Sequence, residues 1–431
     1  MSSSRSAGRV DVIFDDDHAV ANAGLLLTAT LADRLGIIEL ANDLIDLGDR
    51  PGASLPGRKV MTLVQSMVAG GDCIDDVAVL RSGSTEKVLG HKAMAPSTCG
   101  TFLRSFTFGH VRQLDRLAEA VMTRAWQAGA GPDAEPMTMD VDSTICEVHG
   151  HQKQGVRFGY TKVRGLHPLL ATRADTGEVL HTRMRKGSAN SGRGAERFVN
   201  ELVARVRRAG AAGQLTLRAD SGFWSAKTIA ACRRLHVQFS ITVSQHDVIR
   251  RAIAAIDDDS WVDIGYTDSG QAQVAETVYK DMRLVVRRTR LIGKQASLWP
   301  DWRNHAFVTD RGGTAVDLDA DHRRHAVVEL AIRDLKEGAG MAHCPSGKFN
   351  ANSAWLVLSA LAHNLLRWTA HLGVGTNGPI VAKTLRRQLI TLPGRLTRTA
   401  RRRQLHLPRR WPWRHQFLAA AVHLRNLPRL A

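Results

Sequence analysis

The sequence predicts a mixed α/β fold in which a sheet with a β-rich insertion follows a helical N-terminal domain and precedes a basic helical tail. Three observations lead to this prediction. Apolar residues recur at helical spacing up to about residue 130. From Met137 onward they alternate with polar residues, as in strands. Of the 18 excess positive charges in the chain, 15 follow its last acidic residue, Glu337.

Residues 1–130 are predicted to form the helical N-terminal domain. A helical pattern starts at residue 19 and ends at Gly48, and three shorter helical patterns follow. Short helices joined by Gly and Pro turns suit a helix-turn-helix unit that binds DNA, and they suit a plain helical bundle equally well. The Gly- and Pro-containing segment 128–136 is a linker by composition.

Residues 131–244 and 303–372 are predicted to form one domain around the sheet. The segment MTMDVDSTI starts with a strand at Met137, and two strands around an Asp-Thr-Gly turn follow. A helix that ends at Gly210, a strand, a second helix and a further strand complete the pattern. The order βββαβαβ is that of a mixed sheet and is expected of a ribonuclease-H-like fold.

The intervening residues 245–302 are predicted to be a β-rich insertion, because they contain stretches such as AQVAETVY and RLVVRRTRLI. Strand character returns at 305–310. From about Asp319 one long helix is expected to run through HRRHAVVELAIRDLKEG, followed by another through SAWLVLSALAHNLLRWTAHLG.

Residues 373–431 form the basic tail, which is expected to contact DNA and to take part in dimerisation. A region with many arginines and no acid favours a polyanion partner, most often nucleic acid. Guanidinium forks match phosphate, and the interleaved Trp411 and Trp413 can stack on bases. The arginines predicted to contact DNA are Arg401, Arg402, Arg403, Arg409 and Arg410.

Composition excludes several other classes of protein. The chain has 431 residues, which suits two or three domains. Its five cysteines are scattered and include no CxxC, which argues against a disulfide scaffold or a zinc ribbon. No apolar run reaches the roughly 18 residues of a membrane span, and the N-terminus lacks an apolar signal core. We therefore expect a cytoplasmic protein without a membrane partner.

Two aspartates, Asp142 and Asp220, lie at the ends of predicted strands on the side that faces away from the apolar residues. Ligand sites of open α/β sheets gather at such strand ends, and two carboxylates there can bind Mg²⁺. Asp140 points the same way as Asp142 and is an alternative first ligand. Each aspartate is alternatively an ordinary strand-ending turn residue.

The long helix predicted after Asp319 adds a third acid, Glu329. At about 100° per residue, His322, His325, Glu329 and Lys336 share one narrow arc, which is either functional or a solvated charged stripe. The opposite, buried face is predicted to contain Val328, Ala331 and Leu335.

Three of these segments resemble the acidic motifs of bacterial insertion-sequence DDE transposases. They are MDVDSTI, LRADSGF and HRRHAVVELAIRDLK, and the following FNANSAWLVLSALAHNLLRW is also similar. The resemblance is to the thirteen-eighty group of the superfamily with a YREK signature. It covers roughly residues 10–430 and is densest over 137–370.

The resemblance implies that Asp142, Asp220 and Glu329 are the catalytic acids and hold two Mg²⁺ ions, for which Mn²⁺ can substitute. It implies a DNA endonuclease and strand transferase that binds the terminal inverted repeats of its own element and moves it by cut-and-paste. The expected partners are double-stranded DNA, as element ends and as target, and a second copy of the chain in the synaptic complex. The expected location is the bacterial cytoplasm, in association with the nucleoid.

The signature positions themselves contact terminal DNA phosphates in the family. Lys336 stands at the Lys position, whereas His322 and His325 replace the expected Tyr and Arg. Histidine still donates a hydrogen bond but is fully charged only below its pKa. Further phosphate contacts are expected from Arg323 and Arg324, and more weakly from Arg218 and Lys186. Some relatives hold a flipped base on an aromatic residue of the insertion, for which Trp261 and Trp299 are the candidates.

Three other functions remain open from the sequence. A decayed transposase would act as a DNA-binding repressor without chemistry, although the presence of all three acids argues against it. A ribonuclease-H-like nuclease would hydrolyse DNA without joining it. A basic RNA-binding protein is the third, but no RNP-like or KH-type GXXG pattern supports it.

Overall fold

The computed structural model describes residues 10–150, 152–159, 161–267, 270–291, 302–376 and 378–430. The first part of the chain is helical, as predicted, apart from the two-residue strand β1 (Ala19–Val20). Its α-helices are α1 (Leu25–Arg34), α2 (Ile37–Leu44), α3 (Pro56–Ala69), α4 (Thr85–Leu89), α5 (Pro96–Arg104) and α6 (Phe108–Ala125).

The helical pattern that starts at residue 19 gives two helices instead of one. Gly36 lies between α1 and α2 with a φ of 60°, a left-handed conformation that side chains with a Cβ rarely adopt. The second helix ends at Leu44, before the predicted end at Gly48. A single glycine inside a helical pattern therefore marks a real turn here.

After the predicted linker the chain enters β2 (Met137–Ser143) and a small three-stranded sheet. That sheet has the order β3-β5-β4 and consists of β3 (Cys146–Glu147), β4 (Arg157–Phe158) and β5 (Arg164–Leu166). The main chain of elements continues with β6 (Leu169–Arg173), β7 (Val179–Arg183), α7 (Ala195–Ala209), β8 (Leu215–Ala219), α8 (Ala226–Arg234) and β9 (Gln238–Thr242).

The segment predicted as a β-rich insertion extends the same sheet. It contains α9 (Asp247–Ala254), β10 (Val262–Ile264), β11 (Gly270–Tyr279) and β12 (Met282–Leu291), and is followed by β13 (Arg303–Thr309). The sheet has nine strands in the order β10-β11-β12-β13-β9-β8-β2-β6-β7. At its centre β2 runs parallel to β8 and antiparallel to β6, and β8 runs parallel to β9.

The long helix expected from Asp319 is interrupted. The chain forms α10 (Ala315–Arg323), a short 3₁₀ turn (Arg324–Ala326) and α11 (Val327–Gly338). Residues on the two sides of this turn do not share one helical face, so the predicted common arc of four side chains does not form.

The second predicted helix is α12 (Phe349–Trp368), which is buried from Ala351 to Trp368. It packs against α3, α5, α6 and β7 and so lies between the helical region and the sheet. An apolar helix in this position explains why the sequence shows no one-sided pattern there. In the described residues no helix is both long and apolar enough to cross a membrane.

The tail is less helical than predicted. It contains α13 (Ala382–Leu385), the hairpin strands β14 (Gly394–Thr399) and β15 (Arg402–His406), and α14 (Arg414–Asn426). β14 pairs with β1, and α14 packs against α1, so the tail completes the N-terminal helical region. The hairpin was not predicted because exposed arginines and threonines make up much of it, with Leu396 as its buried anchor.

Candidate active site

Asp142 and Asp220 leave the two central parallel strands side by side. The register pairs Val141 of β2 with Ala219 of β8, one residue before each aspartate. The alternation of β2 buries Met139 and Val141, as predicted, and leaves Asp142 partly buried at the strand end. Both carboxylates therefore lie at the carboxyl edge of the sheet.

Local backbone hydrogen bonds orient both carboxylates. The Ser143 N–H donates to Asp142 Oδ1 at 2.6 Å, and the Gly222 N–H donates to Asp220 Oδ1 at 3.0 Å. Gly222 has no room for a side chain, since a Cβ there would lie 2.5 Å from the Cβ of Ser191. The Asp-Ser-Gly sequence thus lets a neighbouring loop approach the second aspartate.

The third acid, Glu329, lies in the first turn of α11, which packs against β2 and β6. Val328, Ala331 and Leu335 form the buried face of this helix, which confirms that part of the helical pattern. Glu329 lies on the exposed side of the helix, and its negative charge raises the pKa of Asp142.

The electrostatics show that the three acids form one group. Burial, together with the negative charges of Asp220 and Glu329, raises the pKa of Asp142 to about 6 against the opposing Ser143 hydrogen bond. Burial also raises the pKa of Asp220. Among the described residues none of the three acids forms an ion pair within 4.0 Å, whereas the neighbouring Asp140 pairs with Arg218 and His325.

Asp140, the alternative first ligand, has a different role. It is fully buried, and Arg218 of the neighbouring strand binds both of its oxygens, with Nε to Oδ1 at 2.6 Å and Nη2 to Oδ2 at 2.9 Å. This pairing leaves Asp142 as the uncompensated carboxylate of β2. It also places Arg218 in the interior, away from any surface phosphate.

His325 connects Asp140 to the acidic group. Its Nδ1 lies 2.9 Å from Asp140 Oδ1, and its positive charge, when protonated, lowers the pKa of Asp142 and of Asp220. The short 3₁₀ turn between α10 and α11 brings this half-buried side chain to the site.

His322, which the sequence placed beside His325, faces the interior of the sheet instead. Its Nδ1 lies 2.7 Å from Ser240 Oγ, its Nε2 lies 3.0 Å from Thr242 Oγ1, and its ring stacks on Phe307. Burial lowers its pKa to about 2. The break in the helix turns this residue inward, so it is a neutral packing residue in this structure and not a surface phosphate ligand.

The other residues of the helix divide between structural and exposed positions. Lys336 Nζ donates to the Ile145 carbonyl at 2.8 Å and so fixes the chain just after Asp142. Arg323 pairs with Asp319 at 2.9 Å, and Arg324 is exposed.

The predicted arginines of the tail are all exposed. They lie on the hairpin and on the segment before α14: Arg401, Arg402, Arg403, Arg409 and Arg410. Trp411 and Trp413 pack edge to face with ring centres 5.7 Å apart.

The insertion carries a stacked group that the sequence did not reveal. The Arg288 guanidinium lies 4.0 Å from the ring centre of Trp261 and 4.6 Å from that of Trp302. Trp299 lies outside the described residues. The strand pattern of β12 could be recognised in the sequence and includes Arg288. The aromatic partners of Arg288, Trp261 and Trp302, come from other segments.

Sequence reasoning also missed a polar network next to Asp142. His167 Nε2 lies 2.9 Å from Ser143 Oγ, and Ser143 Oγ lies 3.1 Å from Ser191 Oγ. His167 is buried, and its Nδ1 lies 2.6 Å from the Ala189 carbonyl. These residues are distant in sequence, and a lone histidine before a strand carries no spacing signal.

The donors of the acidic group suit a divalent metal, although in the described residues the ligand atoms of the three acids do not all lie within 4.8 Å of one another. These donors are carboxylate oxygens, which hard cations such as Mg²⁺ prefer, and a bound cation would relieve their mutual repulsion. In the described part of the chain, the group of three such residues with ligand atoms within 4.8 Å of one another lies elsewhere, at Asp72, Cys73 and Asp76. There Asp76 Oδ2 already accepts the backbone N–H groups of Asp72 and Cys73 at 2.8 and 3.0 Å, which is an ordinary turn contact.

The chain belongs to the family of transposase DDE domain group 1, whose profile matches residues 2–429. It is therefore a member of a transposase family. Its structure is similar to that of a chain in the cryo-EM structure of a piggyBac transposase synaptic complex with hairpin DNA. That likeness has 13% identity and a TM-score of 0.45, and it covers 86% of this chain and 79% of the other. No curated protein matches the chain in sequence.

Proposed function

We propose that this protein is an insertion-sequence transposase of the thirteen-eighty group that binds the terminal inverted repeats of its element and moves it by cut-and-paste. Asp142, Asp220 and Glu329 are its catalytic acids. The observation that carries the proposal is the position of Asp142 and Asp220 side by side at the ends of two parallel strands, with the charges of Asp220 and Glu329 acting on Asp142.

The order of the central strands supports a ribonuclease-H-like catalytic sheet. The five strands β7-β6-β2-β8-β9 are neighbours in space, and their chain order is 3-2-1-4-5. The first three are antiparallel, and the last two are parallel to the first. In chain order the first and fourth of these strands are β2 and β8; Asp142 lies at the end of β2, and Asp220 follows β8. The third acid, Glu329, lies on α11.

Asp142, Asp220 and Glu329 would hold two Mg²⁺ ions, with Mn²⁺ as a substitute. Bound there, the ions would supply Lewis-acid activation of the attacking oxygen and stabilisation of the leaving oxygen of a phosphodiester. The protein supplies the orientation of the carboxylates through the N–H groups of Ser143 and Gly222.

Neighbouring side chains position the DNA and the acids. Asp140 holds His325 through its Nδ1, so that the ring stays beside Asp142 and Asp220 and contacts a terminal phosphate. Arg324 is exposed and adds a second phosphate contact. Arg323 contributes to the same surface while paired with Asp319.

The tail binds the DNA backbone outside the catalytic site. It carries 13 positive charges and no acid, and its arginines are mostly exposed. Two element ends must meet for joining, so we propose that the protein acts as a homodimer in the synaptic complex, in the nucleoid of the bacterial cytoplasm.

Cleavage and joining of a labelled duplex that carries the element's end, with Mg²⁺ or Mn²⁺, tests the proposal. The wild type should cut and join, and Asp142→Ala, Asp220→Ala and Glu329→Ala should each lose at least about 10³-fold of the activity. Asp247→Ala is the matched control, since Asp247 is an exposed acid on α9. A wild type that binds the end without cutting would favour a repressor, and one that cuts without joining would favour a nuclease.

A further inference from the structure

Residues 186–194 form a loop next to Asp142 and Asp220. This loop carries hydrogen-bond donors and positive charges that have no role in the metal site proposed for the acids. Ser191 Oγ lies 3.1 Å from Ser143 Oγ, next to Asp142. On the other side, a Cβ on Gly192 would lie 3.0 Å from the carbonyl oxygen of Gly222, two residues after Asp220. The 186–194 loop therefore closes one side of the acidic group.

Arg185 holds this loop in place from below. Its Nη1 donates to the carbonyls of Asn190, Ser191 and Arg193 at 2.7, 3.1 and 3.1 Å, and its Nε donates to the His167 carbonyl at 3.0 Å. One guanidinium thus holds three carbonyl groups of the loop backbone. The loop is built into a defined shape before any ligand arrives.

The charge of Arg185 is not balanced within the protein. The side chain is 9% exposed, and in the described residues its Nη2 has no hydrogen-bond partner and no carboxylate pairs with it. Burial and the like charge of Arg193 lower its pKa to about 10. Burying a positive charge without a counter-charge raises the free energy of the folded protein, and a neighbouring anion would offset that cost.

The exposed side of the loop offers donors to such an anion. Lys186 and Arg193 are exposed, as are Ser188 and Asn190. The loop leads into α7, a 15-residue helix that begins after Gly194 with a φ of 78° and no capping side chain. The N-terminus of a helix favours negative charge, and one acid, Glu196, lies in its first turn.

We propose that the 186–194 loop and the N-terminus of α7 bind a backbone phosphate of the DNA strand that enters the catalytic site. Arg193 and Lys186 contact the phosphate, and Arg185 shapes the loop and supplies the uncompensated positive charge beneath it. The inference rests on the proposed function, because it assigns the position of the DNA strand relative to Asp142 and Asp220.

Binding of a fluorescent end duplex to the full-length protein, measured between about 50 and 200 mM salt, tests the site. Arg193→Ala should weaken binding about 10-fold at the lower salt, and it should reduce the slope of log affinity against log salt by about 1. The Lys186→Ala/Arg193→Ala double variant should weaken binding further but reduce that slope by no more than about 1, because both side chains contact the same phosphate. Arg251→Ala, an exposed arginine on α9, is the charge-matched control and should change neither.

Neutral methylphosphonate linkages, introduced one at a time around the cleavage site, locate the contact. At one position the neutral linkage should weaken binding by the wild type and have no further effect on Arg193→Ala. A site used only by free phosphate ions would show no such position, and that result would overturn the inference. So would an Arg193→Ala slope equal to that of the control.

The two levels of proposal fail separately. If the wild type cuts and joins the end duplex while the loop variants bind as the control does, the transposase function stands and the phosphate site is wrong. If the loop variants show the expected smaller salt slope while the wild type never cuts the end duplex, the phosphate site stands and the proposed catalytic function is wrong.

Discussion

Arg218 on β8 clamps Asp140 on β2 from within the sheet, with both carboxylate oxygens bound and Arg218 almost fully buried. This pair separates two aspartates that lie two residues apart on one strand face. Asp140 is neutralised and orients His325, whereas Asp142 is left without a cation and gains a raised pKa. The division of roles follows from one arginine on the neighbouring strand.

Removal of one partner of this pair should be strongly destabilising. Arg218→Met would leave a buried carboxylate unpaired, and the free energy of unfolding should fall by about 3–5 kcal/mol. Asp140→Asn/Arg218→Met should lose less than the sum of the two single changes, by about 1–3 kcal/mol. Urea unfolding of the four proteins checks this, and additive losses would show that the two residues are not coupled.

Neutralisation of Asp142 should stabilise the metal-free protein. The pKa of Asp142 is about 6 in the folded state and 3.8 in model compounds, so the wild type loses stability as the pH rises from about 4 through 6. Asp142→Asn lacks this loss and should be more stable by about 1–3 kcal/mol at pH 8, with the difference vanishing near pH 4. Denaturant unfolding with a chelator measures it. Mg²⁺ should then stabilise the wild type and leave Asp142→Asn unchanged, and a wild type equal to the variant at pH 8 would contradict the coupling.

Lowering the pH should destabilise the folded protein, because the buried His322 takes up a proton only on unfolding. Its pKa is about 2 in the folded state and 6.5 in model compounds, so the unfolded state binds more protons below pH 6.5. The wild type should lose about 1.4 kcal/mol per pH unit below 6.5 relative to His322→Gln. Unfolding free energies at pH 7 and pH 5 give the comparison, and parallel curves for the two proteins would show that His322 is charged or exposed in the folded state.

Gly222 should tolerate no side chain. In Gly222→Ala the new Cβ would lie 2.5 Å from the Ser191 Cβ and 3.1 Å from Asp220 Oδ1, so either the loop or the aspartate must move. We expect a loss of about 1–3 kcal/mol in stability and at least about 10-fold in cleavage. Gly312→Ala is the control, because a Cβ there meets nothing within 4 Å. Equal cleavage by the two variants would show that Asp220 is not held by this contact.

The features that sequence predicted well are local. The alternation of β2 and β8 places Asp142 and Asp220, and the spacing of Val328, Ala331 and Leu335 gives the buried face of α11. The predictions that were wrong concern residues whose positions depend on partners distant in the sequence. His322 turns inward because Ser240 and Thr242, on a strand some 80 residues earlier, bind its ring.

The choice between Asp140 and Asp142 could not be made from sequence for the same reason. Both aspartates point the same way, and only the parallel register of β8 shows that Arg218 faces Asp140. The pairing of the tail hairpin with β1 was hidden because β1 lies at the other end of the chain. Tertiary partners, not local preference, decide these positions.

The pairing of β1 with β14 sets an order of events during synthesis. Ala19 pairs with Arg395, so the first strand leaves the ribosome long before its partner is made. At about 5–20 residues per second, that wait lasts roughly 20–75 s. The helical region cannot close until translation is nearly finished, and any nascent or prematurely terminated chain exposes the surfaces of α1 that α14 covers. Completion of the fold is therefore coupled to completion of the polypeptide, so that truncated copies are open to proteolysis.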